Sequence, residues 1–113
     1  MADRADLLQG TLELLVMQAI AEEPEHGWGI TQRLERRSRG VLLVNQGSLY
    51  PALERMERKG WIRSDWRTTE NNRRARYYSL TPAGRRRLAL ERASWERSSR
   101  AVNWILNWAG DIS

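Results

Sequence analysis

Hydrophobic positions recur along this chain at two different periods. In LLQGTLELLVMQAIAEE, residues 7–23, Leu8, Leu12, Leu15, Val16, Ala19 and Ile20 fall at helical intervals. The spacing predicts a first helix that Pro24 ends. HGWGITQRLERRSRG, residues 26–40, predicts a second, with Trp28, Ile30 and Leu34 as its apolar positions. Arg33, Glu35, Arg36 and Arg37 form its charged face, and Gly40 closes it. In VNQGSLYPALERMERKGWI, residues 44–62, Leu49, Leu53 and Met56 mark a third helix, with Asn45 as N-cap and Gly60 as C-terminal stop. Then the period shortens. WIRSDWRT (61–68) and ARYYSL (75–80) are rich in β-formers and alternate around the polar TENNRR, which predicts a β-hairpin. Thr81-Pro82 is a strong helix start, and nothing breaks the helix before about Trp108. Three helices, a hairpin and a long helix make a mainly α fold with a β-hairpin wing. This is a winged helix-turn-helix over residues 1–81, with residues 82–113 as a dimerisation helix in one compact unit.

Composition narrows the function. The chain has 113 residues, which suits one domain. Its formal net charge is +5, and all but one of its 19 basic residues are arginine. A basic balance favours a polyanionic partner. Arginine suits phosphate and guanine because its planar fork donates two parallel hydrogen bonds. A GC-rich genome would raise arginine in the same way. The absence of cysteine excludes disulfides, thiolate metal sites and a cysteine nucleophile. No apolar run is long enough for a membrane span, and the N-terminus lacks a signal-peptide apolar region, so a cytoplasmic protein is expected.

The third helix opens on small and polar residues. In a helix-turn-helix this end enters the major groove, so it must be slim and offer hydrogen-bonding groups. Gln46 could pair with adenine, Ser48 with a base or a phosphate, and the Tyr50 hydroxyl with a phosphate oxygen. Pro51, in the second turn, removes one backbone bond and crowds the carbonyl of Gly47, which kinks or tightens the helix start. The plainer alternative makes Asn45 to Ser48 a capping segment and Tyr50 a rim residue. The hairpin tip favours the DNA reading. Arg73, Arg74 and Arg76 crowd an exposed turn, suited to a phosphate backbone or a narrow minor groove. A charge run alone is usually a solvated face; following a polar-fronted third helix, it points to double-stranded DNA.

The runs NQGSLYPALERMERKGWI and ENNRRARYYSLTPAGRRRL, preceded by LQGTLELLVMQAI and HGWGI, resemble the PadR family of bacterial transcriptional regulators over about residues 7–108. The resemblance implies a winged-helix DNA-binding domain, dimerisation through the first and last helices, and repression that a small molecule or stress signal releases. By position it implies that Gln46, Ser48, Tyr50 and Pro51 face DNA and that Arg73 and Arg74 make the wing contact. With one long helix after the hairpin, the chain resembles the short form of the family.

The last helix is about 40 Å long at 1.5 Å per residue. Leu88, Trp95 and Val102 repeat at about seven residues, with Ile105, Leu106 and Trp108 nearby. A body this small cannot cover that side, so a homodimer is expected, with reading helices addressing half-sites about 34–36 Å apart. The alternative packs the helix back on Leu12, Leu15 and Val16. The chain has six tryptophans and no phenylalanine. Trp95, Trp104 and Trp108 could therefore form interface core or sandwich a planar aromatic effector across a dimer axis.

An enzyme is not expected. His26 is the only histidine, and its place before the second helix suits a cap. Ser48 has no histidine partner nearby in the chain. No metal or other cofactor is expected either. Glu22, Glu23 and Glu25 read as an exposed acidic helix end rather than a cation site. The rivals from other classes are a winged-helix protein-interaction module and a nonspecific nucleoid-like DNA binder.

Overall fold

Three of the four helices begin in the same way. The His26 Nδ1 accepts from the Gly29 N–H at 3.0 Å, the Asn45 Oδ1 from the Ser48 N–H at 2.8 Å, and the Thr81 Oγ1 from the Gly84 N–H at 3.0 Å. Each cap satisfies an amide that the first helical turn leaves without a partner. The molecule is a computed structural model that describes residues 4–110, with side chains described from Thr11 onward. Its elements are α1 (Arg4–Ile20), β1 (Glu25–His26), α2 (Gly27–Arg37), α3 (Gln46–Arg58), β2 (Ile62–Thr68), β3 (Arg74–Leu80) and α4 (Pro82–Leu106). Leu8, expected on the apolar side of the first helix, lies outside the described side chains.

The core joins every helix to the sheet. Val16, Met17, Ile20, Ile30, Leu49, Leu53, Met56 and Ile62 are fully enclosed, with Leu12, Leu34, Tyr78, Leu80 and Leu88 around them. Burial of each such side chain contributes about 1.5–3 kcal/mol. At the end of α3, Gly60 adopts φ +78°. The Gly60 N–H donates to the Glu57 carbonyl at 3.0 Å and the Trp61 N–H to the Met56 carbonyl at 3.0 Å. This is a Schellman stop, and the left-handed position explains the glycine.

The sheet has three strands rather than the hairpin's two. Its order is β1-β3-β2, and β1 pairs Glu25 with Tyr78 and His26 with Tyr77. A two-residue strand shows no periodicity, so the sequence pattern gave no sign of it.

Two expectations about α2 are corrected. Trp28 is 60% exposed. It stands two residues from Ile30, which places it more than half a turn away from the buried face. Arg33 is not on the charged face but buried beside Leu34. Its Nη1 donates to the Ala19 carbonyl at 2.6 Å and its Nη2 to the Glu25 carboxylate at 2.6 Å. The pair ties the end of α1 to β1 through α2.

Helix α4 leaves the body. Of its residues only Gly84 and Leu88 are buried, and the molecule measures 65 × 29 × 21 Å. Its first turn packs on Trp61 and Leu80, and its middle lies along α1, where Arg92 reaches Gln18 and Trp95 shares a cavity with Leu14 and Leu15; beyond Leu88 most of the helix is exposed.

Candidate nucleic-acid interface

On α3, Leu49, Ala52, Leu53 and Met56 face the core. Gly47, Pro51, Glu54 and Arg58 follow one another at i, i+4, i+7 and i+11, so they share a face. All four are exposed. Glu54 and Arg58 neutralise each other at 2.9 Å, which leaves the N-terminal half of that face slim and uncharged. Gln46 and Tyr50 flank it on one side, and Ser48 on the other. Gln46 is loosely held, its amide 3.5 Å from the Thr31 hydroxyl. The Ser48 amide is capped, while its side chain remains partly exposed. Tyr50 lies over Gly27. A Cβ there would meet the Tyr50 hydroxyl oxygen at 2.4 Å, so only glycine permits this approach.

Tyr50 forms one wall of a concave groove of about 960 Å³. Arg73, Arg74 and Arg76 line it too, as do Trp28 and Trp66. The sequence thus assigned residues from the third helix and the hairpin to one surface, and the fold brings Tyr50 together with all three arginines. Gln46, Ser48 and Pro51, on the same helix, do not line the groove.

The arginines differ from one another. The turn itself spans residues 69–73, closed by the Thr69 amide donating to the Arg73 carbonyl at 2.6 Å and by Asn72 at φ +62°. Only Arg73 belongs to it. Arg74 and Arg76 lie on β3, pointing to the same side as Trp66, which pairs across the ladder with Arg76. Their guanidinium carbons stand 5.3 and 5.7 Å from the Trp66 ring, a cation–π arrangement. Among the described residues neither Arg73 nor Arg74 has an acidic partner, whereas the Arg76 Nε donates to the Ser64 hydroxyl at 2.8 Å. Unpaired guanidiniums facing a groove are free to neutralise phosphates.

The Transcriptional regulator PadR-like family matches residues 16–90. The chain belongs to the PadR-like family of transcriptional regulators. It is 34% identical over 94 residues to a transcriptional regulator of Mycobacterium tuberculosis, covering 83% of this chain and 84% of that one. The crystal structure of a PadR-like transcriptional regulator from Bacillus cereus superposes with a TM-score of 0.78 at 27% identity, over 90% of this chain and 97% of that one. A transcriptional regulator from Clostridium thermocellum has the same fold, with a TM-score of 0.79 at 23% identity over 87% of this chain and 95% of that one. PadR-like proteins are transcriptional regulators rather than enzymes, and the winged helix fits a DNA-binding role. Among the described residues, no helix is long and apolar enough to cross a membrane.

The sequence pattern placed Trp28 among the apolar positions of the second helix and left the role of Trp66, on the hairpin, open between covering the sheet and the base of the wing; both line the groove. For Trp28 the helical spacing carried the signal, because Gly27, Ile30, Thr31 and Leu34 define the inner face without it. The tryptophans of α4 are not one cluster. Trp95 continues the Leu88–Val102 stripe and lines an apolar cavity of about 580 Å³ with Leu14, Leu15 and Leu42. Trp104 comes nine residues later, two and a half turns on, and so faces the other way.

Proposed function

We propose that this chain is a site-specific DNA-binding transcriptional regulator that acts as a homodimer on an inverted repeat. The observation that carries the reading is the one groove that Tyr50 of α3 lines together with Arg73 and Arg74, neither of which has an acidic partner among the described residues. The start of α3 enters the major groove, where Gln46 and Ser48 address bases and Tyr50 and Pro51 set the approach. Arg73 and Arg74 neutralise the flanking phosphates. Residues 1–81 serve as the reading unit and 82–113 as the dimerisation helix of a cytoplasmic protein. Repression, rather than activation, follows from the family resemblance.

The dimer is supported by the uncovered side of α4. Trp95 and Val102 are each 51% exposed and Leu106 74%. They share the face of the buried Leu88, and a second copy of this chain would continue the same packing. The cavity beside Trp95 would then lie against the partner and admit a planar aromatic effector.

The test is binding of the purified chain to a labelled fragment from upstream of its own gene, beside a scrambled fragment, across a salt series. Preference for the native fragment with steep salt dependence is expected. Equal, steep binding to both would favour a nonspecific binder, and no binding at low salt a protein-interaction module.

A further inference from the structure

The wing is poorly supported for a part that must meet DNA at a fixed angle. An isolated two-stranded hairpin is marginal in water. Strand β1 braces β3 only at Tyr77 and Tyr78. Beyond Ser64 on β2, residues Asp65 to Thr68 are all exposed. Rigidity of the outer wing therefore depends on what fixes the hairpin where it leaves the body.

Three side chains meet at that point. Glu57 projects from α3 on the flank that also carries Tyr50, seven residues earlier. Its Oε2 accepts from the Ser64 hydroxyl at 2.8 Å. The Ser64 oxygen in turn accepts from the Arg76 Nε at 2.8 Å. Arg76 also stacks against Trp66, 5.7 Å from its ring. The chain runs from reading helix to β2 to β3 and ends on the aromatic ring in the groove.

We propose that Glu57, Ser64 and Arg76 form a strut that sets the pitch of the wing relative to α3, so that Glu57 is a positioning residue for DNA binding. Arg76 then holds the wing, while Arg73 and Arg74 touch the phosphates. The inference rests on the DNA-binding reading and changes the role that the sequence suggested for Arg76. It also gives a carboxylate on the helix that addresses DNA a purpose. By charge alone Glu57 repels phosphate, and its removal should tighten binding. The strut requires the opposite.

The experiment compares the full-length wild type with Glu57→Ala, Glu57→Gln and Ser64→Ala on the upstream fragment, across a salt series, with melting temperatures recorded. Glu57→Ala is expected to weaken binding several-fold and to flatten the salt slope by about 0.9 for each phosphate contact the wing gives up. Glu57→Gln keeps a carbonyl oxygen for the Ser64 hydroxyl and is expected to retain the wild-type slope. Ser64→Ala breaks the middle of the strut without altering charge and should flatten the slope as Glu57→Ala does; it decides the matter if Glu57→Ala does not fold. Tighter binding by Glu57→Ala at unchanged slope, or a full slope in Ser64→Ala, overturns the strut and leaves the DNA reading standing. Wild type that fails to bind overturns both.

Discussion

Removing Arg73 and Arg74 together tests whether local contacts or overall charge drive DNA binding. Both are exposed, face the groove and lack an acidic partner among the described residues. Each can therefore neutralise a phosphate. One contact contributes about 0.9 to the salt slope, so a fourfold rise in salt weakens binding about 3.5-fold per contact. For two contacts the factor is about 12. Between 50 and 200 mM salt, the Arg73→Ala/Arg74→Ala chain should thus lose about 12-fold less affinity than wild type, having started weaker. Arg76 is left in place because Ser64 already holds it. The control is Arg85→Ala/Arg86→Ala, which removes the same charge from exposed positions of α4 that do not line the groove. Fluorescence anisotropy on the upstream fragment gives both slopes. If the two double variants flatten the slope equally, net charge governs binding and the groove has no special part.

Arg33→Met should destabilise the chain by about 3 kcal/mol in urea titration, because it leaves the Glu25 carboxylate largely buried and without its cation; a loss under about 1 kcal/mol would mean that solvent already compensates Glu25. Gly84→Ala puts a Cβ 1.9 Å from the Trp61 carbonyl oxygen, so the joint between α4 and the end of α3 must move; a cost of about 1–3 kcal/mol or more is expected in melting curves, and an unchanged midpoint would contradict the packing. Burial, reinforced by Tyr50, holds the Tyr78 hydroxyl above its ordinary pKa of 10.0 despite the opposing effect of Arg76. A raised folded value means stability that is complete below pH 10.0 and lost as pH climbs through the folded value; Tyr78→Phe should lose less than wild type as pH climbs above 10.0, and parallel curves would place the alkaline loss elsewhere. Val102→Asp on the open face of α4 should shift a dimer toward monomer in light scattering at micromolar concentration, whereas an unchanged mass would put the subunit contact on another surface.

Local chemistry determined the elements. Asn45, His26 and Thr81 cap whatever helix follows them, and Gly60 ends α3, because these groups satisfy or terminate backbone bonds within a few residues. Alternation marked the wing strands, and helical spacing marked Leu49, Leu53 and Met56 as core, since both depend on the period of the backbone alone. The arginines clustered at the hairpin tip and the thin, polar start to α3 were visible in the same way, and so was the family.

Tertiary structure decided what spacing cannot carry. Arg33 reads as one more surface charge until α1 and β1 supply the Ala19 carbonyl and the Glu25 carboxylate that make its burial tolerable. Strand β1 exists only because β3 offers an edge beside it. Arg73, Arg74 and Arg76 look alike along the chain, yet a turn, a tryptophan and a serine separate their roles. Glu57 and Tyr50 acquire meaning only when α3 is laid against the wing. The physical reason is common to these cases. A side chain's partner across the fold is set by how helices and strands pack, and that distance in space has no period in the sequence.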